Sequence, residues 1–400
     1  MKMKRLLYLG FAFPPRVSGL FPELQPAGQI VETSLVESIR PHFEIRSIGV
    51  ASVRVEGVAL PSNPSPGLPN ALNLLDKPPE VFHRYRSLWK LERAYRSWQK
   101  TGWQPDAIMV CNLSPIYNGF IRWLTRHARP LPPLILYLAD SVTLGRKVPW
   151  FKAFRYRFKP LVYPEAAMLP FFRACVGVSV TAEAFFAPRG IPWLWLPNGC
   201  DPRRAIKPHP DQIEGPIRFG YFGALAKYTG LPALLKVFTA RERAASLHIC
   251  GYGKAKEEIA AACRSHPRLR FCSLSSPDEC LRFAKELDVM VNPRPMMPGN
   301  ENNFPSKIFE YALTGRAILT SPVSGVDRVL GEEAVYFDIN DYDRSLDRRL
   351  EELAAIPRTE LRRRGAAIQE RLLRHYSWAQ QGEKLARFLE RVVTPQSCQP

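Results

Sequence analysis

The residues best placed to do chemistry lie between positions 291 and 321, in the run VNPRPMMPGNENNFPSKIFEYALTGRAILTS. It reads as strand, loop, helix, glycine, strand. Pro305 falls in the first turn of the helix, where its missing N–H costs nothing, and Gly315 ends the helix. The helix start then lies beyond the carboxyl end of a strand with its free amides exposed, an arrangement that suits phosphate. Ser306 and Lys307 fall in that turn. Glu310 follows Lys307 by three residues, on the same face and about 4.5 Å further along the axis. A cation near the phosphate site and a carboxylate one step deeper match the separation between the diphosphate and the ribose of a nucleotide. By spacing alone the same pair reads equally well as a solvated surface ion pair. Arg294 adds a second cation in the preceding loop.

Positioning such a site requires strands that end at one edge. Short apolar, β-branched runs recur at 5–12, 43–50, 106–111, 134–139, 174–180 and 193–196, and again at 217–222, 247–250, 269–273, 288–292, 317–320 and 334–337. Near-continuous apolar strands alternating with helical stretches indicate buried parallel sheet. Two sets of six, separated by a polar, Pro-containing stretch at 201–216, predict an α/β protein of two doubly wound domains, with ligands bound beyond the carboxyl ends of the strands. Helices are expected near 345–355, 359–375 and 378–393. Residues 51–80 hold six prolines and read as a long surface loop.

Composition narrows the function classes. The chain has 400 residues, 46% of them hydrophobic, enough for large cores. The formal net charge is +19, and it is uneven: residues 1–210 carry 28 Lys+Arg against 13 Asp+Glu, leaving 28 against 24 in the remainder. That field favours anionic partners. Residues 81–103 and 147–173 interleave basic and aromatic side chains, which fits either a lipid headgroup layer or an ordinary amphipathic helix with solvated charges. No nucleic-acid-binding signature is present. The eight cysteines form no C-x-x-C pair, several end apolar runs, and a reducing cytosol is expected. The longest uncharged stretch, 57–75, contains four prolines and cannot be a bilayer helix; the N-terminus does not read as a signal peptide. The seven histidines lack ligand spacing, so no metal site is expected. Neither a G-x-S-x-G elbow nor a phosphate loop of the G-x-x-x-x-G-K-[ST] type occurs.

The 291–321 block resembles the donor-binding segment of GT-B glycosyltransferases, the retaining nucleotide-sugar family with a Glu-x7-Glu signature, and within it a bacterial surface-polysaccharide branch carrying N-P-R … F-P-S-K-x-x-E-Y-x-x-x-G. The resemblance implies a GT-B fold of two Rossmann-like domains facing a cleft: 1–205 for the acceptor, 206–375 for the nucleotide-sugar, and 376–400 as a helix crossing back to the first domain plus a tail. In that family the second Glu of the signature holds the ribose hydroxyls, which maps to Glu310. The first, which approaches the sugar, is replaced by Asn302, with Glu301 one position off. GYFGALAKYTG at 220–230 resembles the first strand and loop of the nucleotide domain; Ala224 and Thr229 stand where the family has Arg and Lys, leaving Lys227 to face the diphosphate. LHICGYG at 247–253 matches a strand ending in Gly-x-Gly. In the first half, 6–15 followed by Gly28-Gln29-Ile30 resembles the acceptor-side opening, and Asp140 ends a strand where the family places a His or Asp near the reacting carbon. Ser179, PNGCD at 197–201 and YSW at 376–378 follow in family order.

The resemblance therefore implies a hexosyltransferase-type enzyme, retaining by family precedent, that moves a sugar from a nucleotide-diphosphate donor to an acceptor hydroxyl in cell-surface polysaccharide or glycolipid synthesis. Lys227, Lys307 and Asp140 are the catalytic candidates. Gly223, Lys227, Gly251, Gly253, Arg294, Asn302, Ser306, Lys307 and Glu310 are the donor-side candidates, and Gly28, Gln29 and Asp140 the acceptor-side ones. No metal or other cofactor is expected. The acceptor is expected to be a lipid-linked saccharide, with the protein cytoplasmic and peripheral on the inner face of an anionic membrane. The competing readings are a nucleotide-sugar epimerase of the same fold, which needs acid/base groups in the cleft, and a non-enzymatic binder of anionic surfaces.

Overall fold

The structure, a computed structural model, describes residues 3–10, 12, 26–52, 71–76, 81–139, 163, 165–206, 215–253, 255–272, 277–297 and 300–394. The chain divides into two compact units, Met1–Leu196 with Trp378–Pro400, and Pro197–Ser377.

The first unit is built on strands β1 (Lys4–Leu9), β2 (Phe43–Ser52), β3 (Ala71–Asp76), β4 (Ala107–Cys111), β5 (Leu134–Leu138), β6 (Phe172–Gly177) and β7 (Trp193–Trp195). They form one sheet in the order β3-β2-β1-β4-β5-β6-β7, every pairing parallel. Helices α1 (Pro26–Ile39), α2 (Val81–Lys100) and α3 (Pro115–His127) supply crossovers. β4 and β5 are buried at every position, as strands covered on both faces must be. Ser114 caps α3 through its hydroxyl, which accepts the Tyr117 N–H, and Pro115 occupies the first turn. A terminal helix, Trp378–Val393, buries Leu385, Phe388, Leu389 and Val392.

One element departs from the sequence expectation. Within the proline-rich stretch read as loop, Ala71–Asp76 pairs with β2 as an edge strand, from Ser47↔Ala71 to Ser52↔Asp76. The prolines at 61, 64, 66, 69, 78 and 79 flank this run without entering it, and the sheet edge tolerates so short a strand.

The second unit repeats the plan with β8 (Ile217–Ala224), β9 (Ala245–Tyr252), β10 (Leu269–Cys272), β11 (Val289–Asn292), β12 (Ala317–Thr320) and β13 (Val335–Tyr336), in the order β10-β9-β8-β11-β12-β13. All are parallel. The connecting helices are α4 (Leu231–Thr239), α5 (Lys256–Arg264), α6 (Pro277–Ala284), α7 (Lys307–Leu313), α8 (Val326–Leu330), α9 (Tyr342–Ala355) and α10 (Arg358–His375). Its core joins Phe219 and Tyr221 of β8 to Leu247 and Ile249 of β9, Val289 and Val291 of β11 and Leu319 of β12. The strand order reverses between β8 and β11, and sheets of this kind bind ligands beyond the carboxyl ends at such a point. Among the described residues no helix is long and apolar enough to cross a membrane.

Candidate active site

Three segments converge at the β8–β11 reversal: the end of β8, the loop after β11 and the start of α7. Tyr221 is fully buried in β8, and its hydroxyl donates to the Ala224 carbonyl at 2.6 Å. The same oxygen accepts the Lys307 ammonium at 2.8 Å, and Nζ lies 4.3 Å from the Tyr221 ring centroid. Gly223 has φ +141°, and a Cβ there would stand 2.7 Å from Lys307 Nζ. Glycine at 223 thus serves the backbone twist and the approach of the ammonium together. One turn beyond Lys307, the Tyr311 hydroxyl donates to the Phe222 carbonyl at 2.9 Å and accepts the Phe222 N–H at 3.2 Å, fastening α7 to β8.

The loop after β11 is held from several sides. Arg294, buried, donates to Asn300 Oδ1 at 2.8 Å. Asn300 Nδ2 donates to the carbonyls of Tyr228 at 3.0 Å and Pro295 at 2.9 Å. Ser324, in the left-handed region at φ +59°, brings its hydroxyl within 2.9 to 3.2 Å of the Asn300, Glu301 and Asn303 carbonyls. The Ser321 hydroxyl donates to the Arg294 carbonyl at 2.6 Å, and the Tyr342 hydroxyl donates to that of Pro293.

Pro305 and Ser306 lead into α7 through i→i+3 bonds, Ile308 N to Pro305 O at 3.0 Å and Phe309 N to Ser306 O at 3.1 Å. Ser306 is itself in the right-handed helical region, and its side chain caps nothing.

The electrostatics follow from burial. Loss of water pushes the Lys307 pKa down to about 7; the Arg294 charge acts in the same direction, while Glu310 and Cys250 oppose it. Desolvation raises Glu310 above 4.5, against the attraction of Arg204 and Lys307. The Glu310 carboxylate makes no hydrogen bond to a protein group among the described residues.

The structure thus brings together Gly223, Arg294, Lys307 and Glu310. Gly251 packs against the same strand end: a Cβ on it would sit 1.9 Å from the Gly223 carbonyl. Gly253, at φ +143°, lies against the Leu225 backbone. Asn302 and Glu301 are half-buried in the turn beneath Ser324. Lys227 opens the short turn Lys227–Thr229, but its side chain lies outside the described residues. Asp140 also lies outside them.

The acceptor-side candidates belong to the first unit. Gly28 is exposed with open space around it. Gln29 is buried, and among the described residues neither its Oε1 nor its Nε2 has a hydrogen-bond partner. One turn on, Glu32 is buried and accepts the Tyr8 hydroxyl at 2.7 Å. Ser179 and Asp201 act locally, accepting the N–H groups of Thr181 and Arg203 at turn starts. Sequence reasoning missed Tyr221, Asn300, Ser324 and Arg204. The only signal for Tyr221 was its place in an apolar run, where it reads as core.

Residues 216–355, within the second unit, match the family model described as glycosyl transferases group 1. No curated protein is similar enough in sequence to match the chain. Solved structures share the fold throughout. A lipopolysaccharide outer core galactosyltransferase, WaaB, in its apo form, is 13% identical with a TM-score of 0.64, covering 96% of this chain and 99% of its own. Anabaena Alr3699/HepE, in complex with UDP and glucose, is 11% identical with a TM-score of 0.62, covering 97% and 100%. The catalytic domain of starch synthase IV from Arabidopsis thaliana, bound to ADP and acarbose, is 12% identical with a TM-score of 0.66, covering 98% and 100%. At these identities the likeness is one of fold: two Rossmann-like α/β units of the GT-B type.

Proposed function

We propose that this chain is a glycosyltransferase that moves a hexosyl group, with retention, from a nucleoside-diphosphate sugar to an acceptor hydroxyl. The observation that carries the reading is the pairing of Lys307 and Glu310 on one face of α7, beside Gly223 at the strand reversal of a group 1 glycosyltransferase domain. The reaction breaks the bond between the anomeric carbon and the diphosphate. Negative charge grows on the departing phosphate as the sugar becomes oxocarbenium-like. Lys307, with Arg294 and Lys227, stabilises that charge in surroundings of low dielectric. Glu310 accepts the ribose hydroxyls; among the described residues its carboxylate has no hydrogen-bond partner, which leaves it ready to do so. The leaving phosphate takes the acceptor proton, so the scheme calls for no metal or other cofactor. That same-fold structures hold UDP and ADP supports a nucleotide donor.

The acceptor reading rests on the first unit. On α2, Trp89 is 54% and Tyr85 50% exposed, and Arg86, Arg93, Arg96 and Lys100 are exposed with them. This face fits an anionic bilayer that presents a lipid-linked saccharide for surface-polysaccharide or glycolipid synthesis.

The test is kinetic. Glu310→Ala raises the donor KM and Lys307→Ala lowers kcat. Wild-type kcat/KM in both variants would overturn the assignment. For the acceptor face, binding to phosphatidylglycerol vesicles at low salt, lost in Trp89→Ala/Arg93→Glu, is the expected result.

A further inference from the structure

Cys250 lies in the buried part of β9 and Cys280 on α6, with their sulfurs 4.0 Å apart and in hydrogen-bond contact. Cys250 is fully buried, whereas Cys280 is half-buried, so solvent reaches the pair through Cys280. The location is specific. Cys250 pairs with Phe222 in the β8–β9 register, one position before Gly251, which packs against the Gly223 carbonyl. The pair therefore adjoins the Gly223–Gly251 end of the β8–β9 ladder, at the candidate donor site.

We propose that Cys250 and Cys280 form an oxidisable dithiol, converted by hydrogen peroxide into a disulfide that weakens nucleotide binding and restored by an external thiol. The Cys280 thiolate attacks one peroxide oxygen. The O–O bond breaks, hydroxide leaves and is protonated to water, and Cys280 becomes a sulfenic acid. The Cys250 sulfur then attacks the Cys280 sulfur and loses its proton. The S–O bond breaks, a second water departs, and the disulfide remains. Two thiols have lost two hydrogens, and one peroxide has become two waters. The contact between the two sulfurs lowers the Cys280 thiol pKa and raises that of Cys250, which burial raises further, consistent with this order of attack.

A disulfide requires a sulfur separation of about 2.05 Å, so the two atoms must approach by roughly 2 Å. That draws α6 and the end of β9 together. Gly251 has no slack against Gly223, so the movement reaches the strand end that Lys307 contacts. Only this consequence rests on the proposed function; formation of the disulfide does not.

The experiment treats the full-length protein with hydrogen peroxide and reads two quantities. Non-reducing peptide mapping with intact mass is expected to show loss of two hydrogens and a Cys250–Cys280 cross-link. Calorimetry with UDP, ADP, GDP and dTDP is expected to show Kd rising by about tenfold or more for the nucleotide that binds, reversed by dithiothreitol. Cys280→Ser binds nucleotide like the reduced wild type and ignores peroxide. Oxygen adducts without the cross-link, a cross-link with unchanged Kd, or a Cys280→Ser variant as sensitive as wild type each overturn the proposal. If UDP, ADP, GDP and dTDP all fail to bind the reduced protein, the donor reading fails, and the cross-link map alone decides whether the pair is oxidisable.

Discussion

The Lys307 ammonium has exchanged water for one phenol oxygen and the face of its ring, with the Arg294 charge nearby. That exchange is poor compensation, and a pKa near 7 follows. The sign is definite. Between about 7 and the ordinary 10.5 the unfolded chain holds the proton and the folded protein does not, so this residue makes stability rise with pH through that window. A diphosphate reverses the balance by favouring the ammonium. Nucleotide affinity should therefore fall as pH rises above 7, and binding at pH 8.5 should take up close to one proton. Calorimetry in buffers of differing ionisation enthalpy measures this directly, and a buffer-independent enthalpy would count against it. Glu310 behaves in the opposite sense. Its raised pKa means the folded state holds the extra proton just above 4.5, so stability falls as pH rises through that window. Glu310→Gln should then raise Tm at neutral pH while weakening nucleotide binding; a gain of about 1 kcal/mol reads as about 2–4 °C in a unit of this size. Loss of both stability and affinity would instead mark Glu310 as a structural residue.

The loop after β11 shows how elements fix a site. Asn300 spends one oxygen on Arg294 and its amide on two carbonyls, one of them on the turn after β8. Asn300→Ala leaves a buried guanidinium and two carbonyls without that partner, at a cost of about 1–3 kcal/mol. We expect lower urea stability together with a reduced kcat/KM for donor; full activity at reduced stability would detach Arg294 from the donor site. Nothing in the sequence pointed to Asn300. Its bonds reach Tyr228, 72 positions earlier, and such pairings have no local period to read. The twelve expected strands were legible as short apolar runs, the pattern that doubly covered parallel strands such as β4 and β5 require. β3 was not, because the six prolines around it read as surface loop. Lys307, Glu310 and Gly223 were legible as residue types. That Gly223 makes room for Lys307 Nζ appears only once β8 and α7 are packed side by side.

At the scale of the whole chain, the two units are threaded rather than strung in series. The backbone leaves the first unit after Leu196, builds the second, and returns at Trp378 as the terminal helix of the first. The crossing is marked within the second unit by the Cys200 N–H, which donates to the Tyr376 carbonyl at 2.9 Å, and by a bridge between Cys200 and Ser377. The returning helix packs on α1 at Gly382, where a Cβ would lie 2.3 Å from the Ser38 carbonyl oxygen. Backbone cannot yield there as a flexible side chain would, so a larger residue must push the helix off α1. Gly382→Leu should destabilise the first unit by about 1–3 kcal/mol, the usual range for overpacking. The nucleotide residues all belong to the second unit, so UDP or ADP affinity should stay at its wild-type value. Differential scanning calorimetry with and without nucleotide separates the two effects. The transition that nucleotide does not shift should move down, while the one it stabilises should stay in place. If both transitions fall together, the units unfold as one, and the terminal helix carries stability for the entire chain rather than for the unit it closes.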